Sequence, residues 1–130
     1  MGAYDEPRYH EQRTIVVTGQ ALAGTSAARN LVRVRCPKAV TLKAATWCAI
    51  TGGTAAAAAT VTINKSLGGT GALSACATKA FTTDADAASG AFTVTETDFA
   101  AGDHLVISMA GTTAVEHVLD MALDFVEDFS

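Results

Sequence analysis

Aromatic residues, charges and prolines are all scarce in this sequence, and each shortage excludes something. Aromatics make up 6% of 130 residues, so a core must rest on Val, Leu, Ile and Ala, with Phe as the large filler. Charged residues are 17% against 49% hydrophobic, which is too apolar for a disordered chain. No run of about 18 apolar residues occurs, so no helix is expected to span a membrane. The opening residues, MGAYDEPRYHEQR, are polar and charged and lack the apolar stretch of a signal peptide. No arginine follows Arg35; beyond it Lys38, Lys43, Lys65 and Lys79 stand against ten carboxylates, and the net charge is −4. Phosphate recognition needs a clustered excess of Lys and Arg, so nucleic acid is a poor candidate partner. The basic front and acidic back would let copies or partners dock with opposite charges facing. Ordinary solvated charge explains the same distribution.

Signatures of chemistry are scarce too. Cys36, Cys48 and Cys76 form no CxxC pair, and their spacing matches no zinc site. All three lie among small apolar residues and are expected as buried, reduced thiols, which fits a protein kept in a reducing interior. The glycine-rich Ser66–Gly71 (SLGGTG) has no closing Lys-Ser or Lys-Thr and is no P-loop. VTGQALAGT lacks the spacing of a dinucleotide fingerprint. His10, His104 and His117 are far apart; His104 and His117 fall on neighbouring expected strands, where Asp103 or Glu116 would be further ligands, but histidines satisfied structurally or by solvent are the expected form. Asp84-Ala85-Asp86 lacks the offsets of a calcium loop. No GxSxG elbow is present, and the carboxylate pairs sit in turn-like contexts. Neither an enzyme, a metal nor a cofactor is expected.

What the chain does contain is strand periodicity. Thr14–Thr18 is β-branched and Gly19–Ala28 reads as a loop. Asn30–Cys36 alternates, with Arg33 and Arg35 on the face opposite Val32, Val34 and Cys36. In Ala39–Ile50 the residues Val40, Leu42, Ala44, Cys48 and Ile50 share a phase that leaves Trp47 opposite. Ala55–Ala59 is too short for a stable helix and reads as a loop into the strand Thr60–Asn64. Cys76–Thr82, Ala91–Glu96 and His104–Ala110 follow, with turns at Leu67–Gly71, Asp84–Gly90 and Ala100–Asp103. Val115–Phe129 fits both periods; a strand there completes two sheets and is the expected form. About eight short runs between Gly-rich and polar turns predict an all-β, antiparallel, jelly-roll-like β-sandwich over residues 14–130. Residues 1–13 read as an extended N-terminal arm carrying Tyr4 and Tyr9, a residue type favoured at interfaces.

Phe92-Thr93-Val94-Thr95, with Phe99-Ala100-Ala101-Gly102-Asp103-His104-Leu105-Val106-Ile107 and a final alternating strand, resembles the C-terminal half of capsid decoration (cement) and head auxiliary proteins of tailed bacteriophages. NLVRVRCPKAVTLKAATWCAI resembles the way such proteins begin their sandwich after an arm, and the AGD turn also occurs in trimeric sandwiches of the tumour-necrosis-factor and complement type. The resemblance covers roughly residues 30–126 and rests on turns and strands. It implies a virion structural protein on the capsid surface, assembled in the host cytoplasm, a homotrimer that bridges copies of the major capsid protein. On that reading the capsid contacts are Tyr4, Arg8, Tyr9 and Arg13 of the arm with Arg33 and Arg35, since the planar arginine fork pairs with carboxylates at two points. A ligand- or carbohydrate-binding sandwich is the alternative, with Trp47, Tyr4 and Tyr9 as its available aromatics.

Overall fold

The last segment settles as a strand. Along Val118–Glu127 every second residue is buried, and Leu119, Met121, Leu123 and Phe125 enter the core. The computed structural model describes residues 12–21, 29–51, 54–83, 86–111 and 118–127. The strands are β1 (Gln12–Ala21), β2 (Arg29–Arg35), β3 (Val40–Thr51), β4 (Thr54–Ser66), β5 (Leu73–Thr83), β6 (Ser89–Ala91), β7 (Thr97–Phe99), β8 (His104–Gly111) and β9 (Val118–Glu127). One sheet runs β1-β9-β3-β6, with β7 also on β3; the other runs β2-β8-β4-β5. All pairings are antiparallel. The chain changes sheet at every connection except the β4–β5 hairpin and the step from β6 to β7. Those two short strands flank β3 as halves of one interrupted edge. The result is the eight-position, double-sheet jelly roll.

Several local expectations need correction. β1 begins at Gln12 and runs on to Ala21, so Gln12 and Arg13 belong to the sheet and Gly19–Ala21 is strand rather than loop. Residues 1–11, which carry Tyr4, Arg8 and Tyr9, lie outside the described residues, as do 22–28. The backbone of Ala55–Ala59 is strand, not loop, because β4 starts at Thr54. Ala91–Glu96 is not one ladder strand: only Ala91 pairs, and residues 92–96 cross between the sheets. Phe92 N–H donates to Ala45 O on β3 at 2.9 Å, and Thr95 N–H donates to Cys76 O on β5 at 2.8 Å. That segment closes one side of the sandwich.

The largest correction concerns β3. Leu42 faces Phe125 on β9, but the next partners are Ala44 and Asp124, so β3 carries one extra residue there. A bulge of this kind flips every later side chain to the other face. Leu42 is inward, and beyond the bulge Ala45, Trp47 and Ala49 are inward, while Cys48 and Ile50 are exposed. Trp47 therefore joins the core, its ring edge-on to Phe81 with centroids 5.1 Å apart. Phe81–Phe92 and Phe99–Phe125 are further edge-to-face pairs, the geometry aromatic quadrupoles favour. Leu105, Ile107 and Met109 of β8 and Val61 and Ile63 of β4 fill the rest. On the edge strand β5, Lys79 Nζ lies 5.0 Å from the Trp47 ring and 4.9 Å from the Phe81 ring. An inward-turned lysine disfavours pairing of that edge with another strand.

Candidate functional site

Glycine and aspartate chemistry sets the position of β2, the edge strand that carries Arg33 and Arg35. Gly102 takes φ +94°, a conformation side chains disfavour, and closes the turn before β8. Asp103, 5% exposed, spans that turn: its Oδ2 accepts from Ala100 N–H at 2.9 Å and its Oδ1 from Gly68 N–H at 2.9 Å. Its backbone carbonyl accepts from Cys36 N–H at 2.8 Å, and Gly102 N–H donates to Cys36 O at 2.7 Å. The carboxyl is held below its ordinary pKa, first by the Gly68 amide and then by the Ala100 amide. One carboxylate thus fastens the turns after β4 and β7 together, and its backbone secures the end of β2. Asp103 is a structural acid, a role the sequence signalled only through the Ala-Gly-Asp turn.

From this anchored end the alternation of β2 turns Arg33 and Arg35 outward, both exposed, as expected from Asn30–Cys36. Arg33 Nη1 lies 2.9 Å from His104 Nδ1 and 3.4 Å from Gly69 O. A guanidinium only donates, so Nδ1 is the acceptor in this contact. His104 is on β8 and has Arg33 as a partner, and His117 lies outside the described residues. Among the described residues no cluster of His, Cys, Asp or Glu could hold a metal ion. Arg13 is in β1, opposite Phe125, so the structure places it in the other sheet from Arg33 and Arg35.

Among the described residues, a gap is left between the edge strands β1 and β2. A cleft of about 240 Å³ is floored by Ile15, Val34, Cys36, Val40 and Phe125 and rimmed by Arg35, Pro37, Lys38 and Glu127. Lys38 Nζ is 3.1 Å from Glu127 Oε1, an exposed cation on a buried acid. The volume is below the roughly 300–1,000 Å³ of small-molecule pockets and suits one large side chain of a protein partner. Burial pushes the Cys36 thiol up, and the nearby Asp103 charge adds to the shift. A raised thiol carries less of the reactive thiolate, and the floor of the cleft is apolar. Cys76 is likewise buried and pushed up by desolvation. Cys48 corrects the expectation of a third buried thiol: the β3 bulge puts it on the exposed face.

No family model matches the chain. No curated protein matches it either. Among solved structures it is similar to a chain described as "Bacillus endospore appendages form a novel family of disulfide-linked pili", at 16% sequence identity and a TM-score of 0.49, over 93% of this chain and 89% of that one.

Proposed function

We propose that the protein is a virion structural protein that sits on the outside of an icosahedral capsid as a homo-oligomer and stabilises it by bridging copies of the major capsid protein. One observation carries the reading. The side of the sandwich between β1 and β2 keeps an apolar, charge-rimmed cleft, while residues 92–96 tie the two sheets together on the other side. Gln12, the first described residue, pairs with Val126 beside that cleft, which is lined by Ile15 and Phe125. An apolar concavity with a polar rim is the usual make-up of a protein contact. Binding the assembled shell better than its separate subunits stabilises the shell by mass action, and an oligomer multiplies each weak contact.

The sugar-binding alternative calls for exposed aromatics. Among the described residues Trp47, Phe81, Phe92, Phe99 and Phe125 are all buried, so none supplies a stacking platform. The test uses purified shells incubated with the protein. Removing residues 1–12, or placing a charge in the cleft with Val34→Glu, is expected to lower occupancy and shell melting temperature. Occupancy unchanged by both alterations sinks the reading.

A further inference from the structure

We infer that two copies of this chain dock with unlike faces, the β2 side of one against the outer face of the β1-β9-β3 sheet of the next. The two outer faces of the sandwich differ in charge. On the β2-β8-β4-β5 sheet, β2 presents Arg33 and Arg35, and β8 presents His104 beside them. Beside Arg33 the outward Val106 and Asn64 are buried, and further along the face the outward positions Thr60, Thr62, Ser108 and Ala110 carry short side chains. No described residue on that face is a carboxylate. The other sheet turns Asp120 and Asp124 of β9 and Asp98 of β7 outward. Lys43, which also faces outward on that sheet, is 2.6 Å from Glu96.

Shape agrees with charge. Short residues at the centre of the acidic face leave an open depression of about 390 Å³, lined by Val16, Thr46, Cys48, Ser89, Asp120 and Ala122. Val16 is 61% exposed beside it. A single carboxylate in an otherwise small and uncharged wall suits arginine, whose guanidinium is weakly hydrated, lies flat on apolar groups and pairs with carboxylates. Both halves of the complementary pair lie on one chain, which is why the occupant is a second copy and not an unrelated acidic protein. Two like faces brought together would meet same-sign charge, so the contact is heterologous, and its geometry sets whether copies close into a ring or continue.

This inference deepens the homo-oligomer part of the reading above, and its test contains no shell, so the two fail separately. Sedimentation equilibrium of the full chain is run at about 0.01 M and about 1 M salt, between which the screening length falls from about 30 Å to about 3 Å. Self-association that weakens at least tenfold in the higher salt is expected. Arg33→Glu with Arg35→Glu makes both faces acidic, and Asp120→Lys with Asp124→Lys makes both basic; each variant alone is expected to stay monomeric. Mixing the two variants restores unlike faces and is expected to restore association, a result that also shows both are folded. If either double variant fails to melt cooperatively, Arg35→Glu and Asp120→Lys replace the pair. A wild-type chain that is monomeric in the lower salt, association that survives the charge reversals, or folded variants that do not associate when mixed would each overturn the inference.

Discussion

The carboxylate of Asp103 holds the backbone amide of Gly68, a residue 35 positions earlier, at 2.9 Å, and its second oxygen holds Ala100 N–H. Two turns that are distant in sequence are thereby made one end of the molecule, and Arg35 and Cys36 are fixed against it through the Asp103 carbonyl. The first prediction follows from that carboxylate. Asp103→Ala leaves the Gly68 and Ala100 amides without this acceptor, and a melting temperature lower by several degrees is expected by circular dichroism.

Its pH dependence has a definite sign. The folded-state pKa lies below the ordinary value of 3.8, so the unfolded state binds a proton more readily than the folded state does. The stabilisation is complete above about pH 4, near the unfolded value, and is lost as pH falls through the lower folded value. Melting temperatures measured from neutral pH down to about pH 2 should drop more steeply for the native protein than for Asp103→Ala. Parallel acid profiles for the two proteins would remove Asp103 from this role.

The bulge in β3 predicts a contrast between near neighbours. Trp47→Ala opens a cavity beside Phe81 and is expected to cost about 3–5 kcal/mol. Ile50→Ser, three positions on and 51% exposed, should fall within about 0.5 kcal/mol of the native protein. Urea unfolding of both variants reads the difference. Equal losses would mean that the phase of β3 is wrong.

Gly90 pairs with Trp47, and a Cβ added there would meet the indole at 3.0–3.1 Å. Gly90→Ala should therefore destabilise through overpacking, by about 1–3 kcal/mol. Gly68→Ala provides the comparison. Its Cβ would meet nothing within 4 Å, and only the φ of +61° resists it, at a cost of about 1–2 kcal/mol. Double substitution with Trp47→Ala should relieve the Gly90→Ala penalty and leave that of Gly68→Ala unchanged. Additive losses at positions 90 and 47 would contradict the contact.

Thiol chemistry separates the three cysteines. In the folded protein Cys48 should react rapidly with a soluble disulfide reagent, and Cys48→Ser should abolish that fast phase. Cys36 and Cys76, buried and with raised pKa values, should react only on unfolding. A fast phase that persists in Cys48→Ser would place another thiol at the surface.

Much of this protein was legible as text. The two-residue period of His104–Ala110 identified its inward face, because side chains alternate along any strand whatever it pairs with, whereas the last segment fitted both periods and only the need for an eighth strand favoured the form it takes. Arg33 and Arg35 could be placed outward for the same reason. The turn at Ala100–Asp103 was legible from glycine and aspartate, whose preferences are local. The arm at residues 1–11, with Tyr4, Arg8 and Tyr9, remains a statement about sequence alone.

The chain by itself determined the class of fold, since only sheets packed on sheets bury so many alternating small apolar residues with so few aromatics. Pairing decided the rest. Whether Trp47 or Cys48 enters the core depends on one extra residue opposite β9, and a bulge is a property of two strands that neither announces separately. Whether Asp103 is a solvated turn acid or a buried fastening depends on Gly68 arriving beside it, and whether Arg33 and Asp120 share a face or oppose each other depends on which sheet receives β2 and which receives β9. Those are contacts between distant positions, set by how the strands are ordered in space.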